Sequence, residues 1–204
     1  MVPARTALMW ATLAVAIGVP IALAATSPYL QWRDAIYIAA SFAGIVALGL
    51  LLVQPLLIAG YLPGLSAFRA RRVHLLVGGA LVVAITVHVA GLWVTSPPDM
   101  LDALLFRAPT LFSPFGVVAM WAIFATATLA LFRRRLGLRT WRITHMPLAA
   151  IIVGGSVTHG MLIEGTMETM SKAALCALVV LATVKVMIDL WPRKKRAVRP
   201  TESP

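Results

Sequence analysis

Six stretches of roughly 20 apolar residues, each long enough to cross a hydrocarbon layer as a helix, divide this 204-residue chain. They fall near 7–25, 35–58, 73–95, 113–132, 143–163 and 171–191, and turn-forming segments separate them: TSP at 26–28, LPG at 62–64, SPPD at 96–99, LFSPF at 111–115 and EGT at 164–166. In lipid every backbone N–H and C=O must be satisfied within the protein, and an open helix of this length does that by itself. The expected fold is therefore all-α, a polytopic six-helix membrane bundle over residues 1–192 followed by a basic tail over 193–204. Only 12% of the residues are charged. A soluble domain carries about 25%, so no separate soluble domain is expected and the lipid bilayer is the first partner.

The net charge of +11 would suit a nucleic-acid partner if the cations shared a face. They do not. One set of connections carries Arg5, then Arg69, Arg71 and Arg72, then Arg133, Arg134, Arg135, Arg139 and Arg142, then Arg193, Lys194, Lys195, Arg196 and Arg199. The alternate set carries only Arg33, Arg107 and Lys172, beside Asp34, Asp99, Asp102, Glu164 and Glu168. Fourteen basic residues against three, alternating loop by loop, mark topology and not nucleic-acid binding. The positive-inside rule places both termini in the cytoplasm. Trp32 and Trp93 then fall at the outer interface and Trp141 and Trp191 at the inner one, while Trp121 falls mid-span, where packing is expected to explain it. The first span, with Arg5 and the small-residue run Ala22-Leu23-Ala24, has features of a cleavable signal peptide. Its length and the interrupting Pro20 favour a retained helix, and cleavage would leave the other five spans unchanged.

All four histidines lie in the apolar runs, where ionisable groups are costly and usually functional. His74 and His88 are fourteen residues apart on the third span, and His145 and His159 are fourteen apart on the fifth. At about 100° and 1.5 Å per residue, fourteen residues advance about 21 Å and return to within about 40° of the starting direction. The third and fifth spans run in the same direction, because one crossing separates them. His74 is thus level with His145 near the inner surface, and His88 is level with His159 beyond mid-membrane. Two facing imidazoles at each of two depths are what axial ligation of two haems requires. A lone membrane histidine is more often a hydrogen-bonding group between helices, but two equal pairs using every histidine in the chain are hard to ascribe to that. Zinc would need three or four close ligands, which no spacing here supplies. A proton relay would want a carboxylate, and Asp189 is expected to pair with Lys185 four residues away. Cys176 stands alone, which excludes an internal disulfide, and there is no C-x-x-C-H for covalent haem attachment. Gly78, Gly79, Gly154 and Gly155 would admit a flat macrocycle, or simply a neighbouring helix. Arg72 and Arg142 precede the inner histidines and are candidates to neutralise haem propionates there, as is Arg107 at the outer end. All three serve equally as topology-setting charge.

The segments RRVHLLVGGALVVAITVHV (71–89) and RRRLGLRTWRITHMPLAAIIVGGSVTH (133–159) resemble the ferric reductase-like transmembrane domain, over roughly residues 35–190. That superfamily includes ferric reductases, NADPH oxidases and the haem-bearing MsrQ subunit of a bacterial periplasmic methionine sulfoxide reductase system. Its most specific sign is the run from Arg133 to His145, with Trp141 and Arg142 ahead of the histidine. The resemblance implies two b-type haems held by His74, His88, His145 and His159, passing electrons across a bacterial-type inner (plasma) membrane. Larger members carry a cytoplasmic flavin- and nicotinamide-binding module. The expected donor here is a separate cytoplasmic flavin reductase or a membrane quinol, because the chain shows no G-x-G-x-x-G segment. A periplasmic acceptor or reductase is expected to take the electrons. Pro147, two residues after His145, departs from the family pattern and is expected within a first helical turn, where proline is tolerated.

Two other readings stay open on sequence alone. The chain could be a quinol-oxidising cytochrome b anchor of a multisubunit dehydrogenase, or a transporter or assembly factor whose histidines are merely polar. Orientation can be tested directly. A phosphatase that works only in the periplasm should be inactive when fused after Pro204 and active when inserted at Asp102. The reverse pattern would overturn the depth assigned to every histidine.

Overall fold

The computed structural model describes residues 4–190, and among them every regular element is helical. The helices are α1 (Ala4–Ala25), α2 (Ala35–Ile58), α3 (Ala67–Thr95), α4 (Pro97–Leu104), α5 (Ser113–Leu131), α6 (Leu138–Leu162) and α7 (Thr169–Leu190). Short 3-10 turns occupy Pro28–Leu30 and Arg133–Arg135. All but α4 are long and apolar enough to cross a bilayer. The chain is an all-α, multi-pass membrane protein. The basic tail from Arg193, with Trp191 before it, lies outside the described residues.

Hydropathy located the hydrocarbon better than it located the helix ends. Helix α3 starts six residues before its apolar run, because the Ser66 hydroxyl accepts the Arg69 amide at 3.4 Å and caps its N-terminus, and the first two turns carry Arg69, Arg71 and Arg72. Its 29 residues span about 43 Å, against about 30 Å of hydrocarbon, so the helix is long enough to keep those charged turns outside the hydrocarbon. Helix α6 likewise begins at Leu138, carrying Arg139 and Arg142. Pro147 therefore sits in the third turn of α6 and not in the first, leaving the Ile143 carbonyl without its usual amide. The segment 96–99, expected as a turn, opens α4 instead, with Pro97 at the first helical position where the absent N–H is no loss.

Helix α2 packs chiefly on α3, and α5 on α6; α7 rests against α2 and α6, and α3 meets α5 more lightly. These five helices close a ring. Helix α1 lies outside it against α2 and α7, tied down by the Trp10 indole donating to the Pro63 carbonyl at 3.2 Å. A core of Leu48, Leu51 and Leu52 from α2, Ile123 from α5, and Leu175 and Val179 from α7 fills the middle of the ring. Outward positions stay apolar, with Leu76, Leu131 and Ile188 well exposed, as lipid as solvent demands. Trp121 is among them: it is exposed, with Phe124 as an edge-to-face ring neighbour at 6.1 Å, so it faces outward and core packing does not explain it.

Small residues set the α2–α3 seam. A Cβ on Gly91 would stand 2.7 Å from Ala40 Cβ, closer than real atoms approach, and a tight 3.3 Å from the Ile36 carbonyl. Gly91→Val should force the helices apart and destabilise the protein by about 1–3 kcal/mol, read as a lower thermal midpoint in detergent by circular dichroism. An unchanged midpoint would show that the seam tolerates separation.

Candidate functional site: two histidine pairs between facing helices

Helices α3 and α6 run parallel and face each other across the ring, and the four histidines stand between them. The His74 and His145 rings are 6.5 Å apart between centroids at 79°, and the His88 and His159 rings are also 6.5 Å apart, at 81°. The pairing by depth that the fourteen-residue spacing predicts is thus the pairing in the fold. Each pair opens on its own cavity. The cavity of the His74–His145 pair, called inner after the topology expected from charge, is about 460 Å³ and is lined by those two histidines, Gln54, Gly78, Gly79 and Thr183 among apolar side chains. The outer one, about 250 Å³, is lined by His88, His159, Tyr37, Ser41, Thr166 and Lys172 among others. Leu51 and Ile123 line both and form an apolar partition between them.

The orientation of three of the four rings is set by a carbonyl on the helix behind them. His88 Nδ1 lies 2.8 Å from the Ala40 carbonyl and His74 Nδ1 3.3 Å from the Gln54 carbonyl, both on α2; His159 Nδ1 lies 3.0 Å from the Phe112 carbonyl at the start of α5. A carbonyl oxygen only accepts, so in all three rings Nδ1 carries the proton and donates it. Nε2 keeps its lone pair, the state in which imidazole binds a metal. Ala40 and Gln54 are themselves fourteen residues apart, matching the histidines they hold.

Two glycines make the outer contacts possible. A Cβ on Gly44 would lie 2.9 Å from His88 Nδ1, and one on Gly116 would lie 2.6 Å from His159 Nδ1. Each glycine sits four residues after the accepting carbonyl, over the spot the ring must occupy. Sequence reading missed both. The visible signal was a glycine one helix earlier, at the depth of each outer histidine. It did single out four other glycines, of which Gly78 and Gly79 line the inner cavity while Gly154 and Gly155 line neither.

His145 departs from the pattern. Its buried Nδ1 has no hydrogen-bond partner, and Trp141 stacks on the ring at 4.8 Å and 14° instead. The Arg133 guanidinium lies over the Trp141 ring at 5.0 Å. The position on α5 that would mirror Gln54 is Thr126, whose hydroxyl returns to the Ala122 carbonyl at 2.8 Å. Gln54 Oε1 and Thr183 Oγ1 are likewise buried without partners, and their residues line the same inner cavity.

Other candidate residues fall elsewhere. Arg72 and Arg142 are exposed on α3 and α6 and outside the lining of the inner cavity, and exposed Arg107 lies outside that of the outer one. Lys172, expected as an outer-loop charge, is buried in α7 and lines the outer cavity. Lys185 and Asp189 form the expected ion pair at 2.8 Å, joined by the Tyr61 hydroxyl, and line neither cavity. Among the described residues no three histidine, cysteine or carboxylate groups cluster as a metal site would need. No protein-family model matches the chain, and no curated protein or solved structure matches it either.

The tautomers are directly measurable. Solid-state ¹⁵N spectra of the protein without added ligand at neutral pH should show His74, His88 and His159 protonated at Nδ1. Gly116→Val should disturb the His159 signals and spare those of His74. Protonation of those rings at Nε2 would contradict the hydrogen bonds described.

Proposed function

We propose that this chain is a transmembrane electron carrier of the ferric reductase-like kind, with two b-type haems, one between His74 and His145 and one between His88 and His159. The observation that carries the reading is the repeated 6.5 Å ring separation across a gap between parallel helices. Imidazole nitrogens bind first-row metals at about 2.0–2.1 Å, so two rings on opposite sides of one metal have centroids a little over about 6 Å apart. Each pair supplies only two donors, and the rest of the coordination sphere must belong to the ligand, as it does in a tetrapyrrole. Bound haem would supply reversible one-electron chemistry at iron.

The chain's own residues would hold, orient and insulate. The Ala40, Gln54 and Phe112 carbonyls fix their imidazoles and raise the basicity of Nε2, the usual role of the outer partner of a ligating histidine. Gly44 and Gly116 give the outer rings their place against α2 and α5. Largely apolar linings exclude water and lower the local dielectric, which tunes a redox centre. The asymmetry of basic residues supports cytoplasmic termini, the inner pair on the cytoplasmic side of a bacterial-type inner membrane, and electron flow towards the periplasm. The arginine-rich inner end, with Arg134, Arg135 and Arg139, suits docking of an acidic flavin reductase as donor. A membrane quinol is the other donor class, and the electrons would pass to a periplasmic acceptor.

Reduced-minus-oxidised absorption of purified, haem-supplied protein tests this. Two haems per chain are expected. His74→Leu and His145→Leu should each remove the same spectral component and leave about one haem, and His88→Leu and His159→Leu should remove the other. Absence of haem bands from well-folded wild-type protein would sink the proposal.

A further inference from the structure

The outer cavity holds a charge that ligation does not use. Lys172 stands in the first turns of α7 and is only 6% exposed. Its ammonium donates to the Ile163 carbonyl at 2.8 Å, and the residue lines the cavity with His88, His159 and Thr166. The carboxylate that helical spacing would pair with it is Glu168, four residues earlier. Glu168 is committed elsewhere: its two oxygens accept the Met170 and Ser171 amides, each at 2.7 Å, capping α7. Those amides hold the Glu168 carboxyl below its usual range, so it stays a cap at neutral pH. Among the described residues no carboxylate lies within ion-pair distance of Lys172, whereas Lys185 on the same helix has Asp189. A buried cation without a counter-ion is costly unless a ligand brings one. The inner cavity differs: among the described residues no Lys, Arg, Asp or Glu lines it. Arg133 lies over the ring of Trp141, one of the lining residues, and is half-exposed to solvent that screens it.

We propose that Lys172 pairs with a propionate carboxylate of the haem held between His88 and His159, and that its fixed positive charge sets the potential of the outer haem above that of the inner one. The inference rests on the dihaem reading. A nearby cation favours the state with one more electron, and burial keeps the interaction from being screened away. Lys172 touches neither donor nor acceptor in this role. It makes the step from inner to outer site run downhill.

Potentiometric titration of the two spectral components, assigned from the His88→Leu and His74→Leu variants, tests this in wild type, Lys172→Met and Lys172→Arg. The methionine variant should lower the midpoint of the outer component and leave the inner one in place, and the arginine variant should stay near wild type. Loss of the outer haem in Lys172→Met that Lys172→Arg restores would also support the pairing, because charge is what was returned. Unchanged midpoints at full haem content, equal shifts of both components, or loss of the outer haem in both variants would overturn it. These failures differ from that of the dihaem reading, in which wild-type protein itself would show no haem bands.

Discussion

In hydrocarbon a backbone carbonyl has little to bond except its own helix, and it still has a second lone pair to offer. Three of the four histidines are held through that spare capacity. The Ala40, Gln54 and Phe112 carbonyls lie on helices packed directly against those that carry the histidines, and they take an imidazole proton with no polar side chain added to the membrane interior. The cost is steric. At the Ala40 and Phe112 contacts a side chain four residues later on the supporting helix would occupy the place of the ring, and Gly44 and Gly116 carry none. Helix pairing, glycine placement and tautomer are one arrangement. The α2–α3 and α5–α6 pairs must be the tight ones, and α3 and α6 must stand apart so that the rings meet across a gap.

The α2–α3 pair meets this requirement at both depths and the α5–α6 pair at only one. At His145 the carbonyl contact is replaced by a stack of Trp141 and Arg133. That leaves the ring positioned by face contact alone, with Nδ1 buried and unpartnered. Metal-binding histidines are ordinarily oriented through the second nitrogen, so the inner pair is the less rigidly held of the two. Its cavity is also the larger, and two further unpartnered polar atoms belong to residues lining it.

Much of this was legible in the sequence because it depends on periodicity. Six apolar runs gave six long helices, and α2 has the very bounds of its run. A fourteen-residue spacing on two parallel spans gave the ring pairs. What was not legible depends on local polar geometry or on a neighbour. Ser66 extends α3 into water by a capping bond that hydropathy does not register. Lys172 reads as a loop charge until the fold shows its stem buried and its expected partner, Glu168, bonded to two amides. Trp121 reads as a packing residue because an aromatic ring in mid-span can face core or lipid, and composition does not say which. The supporting glycines lie on other helices than the rings they admit, so no spacing within a single span reveals them.

The partition of Leu51 and Ile123 between the two cavities carries a consequence of its own. Aliphatic side chains offer no site on which a proton can rest, whereas an electron needs no bonded path to pass a few ångströms of hydrocarbon. On the proposed function, negative charge would cross this wall uncompensated, and each turnover would leave the cytoplasmic side more positive, a field that opposes the next transfer. Moving one elementary charge against 100 mV costs about 2.3 kcal/mol. A carrier built this way is throttled by the field it creates, and its steady rate depends on how fast other proteins in the same membrane return the charge.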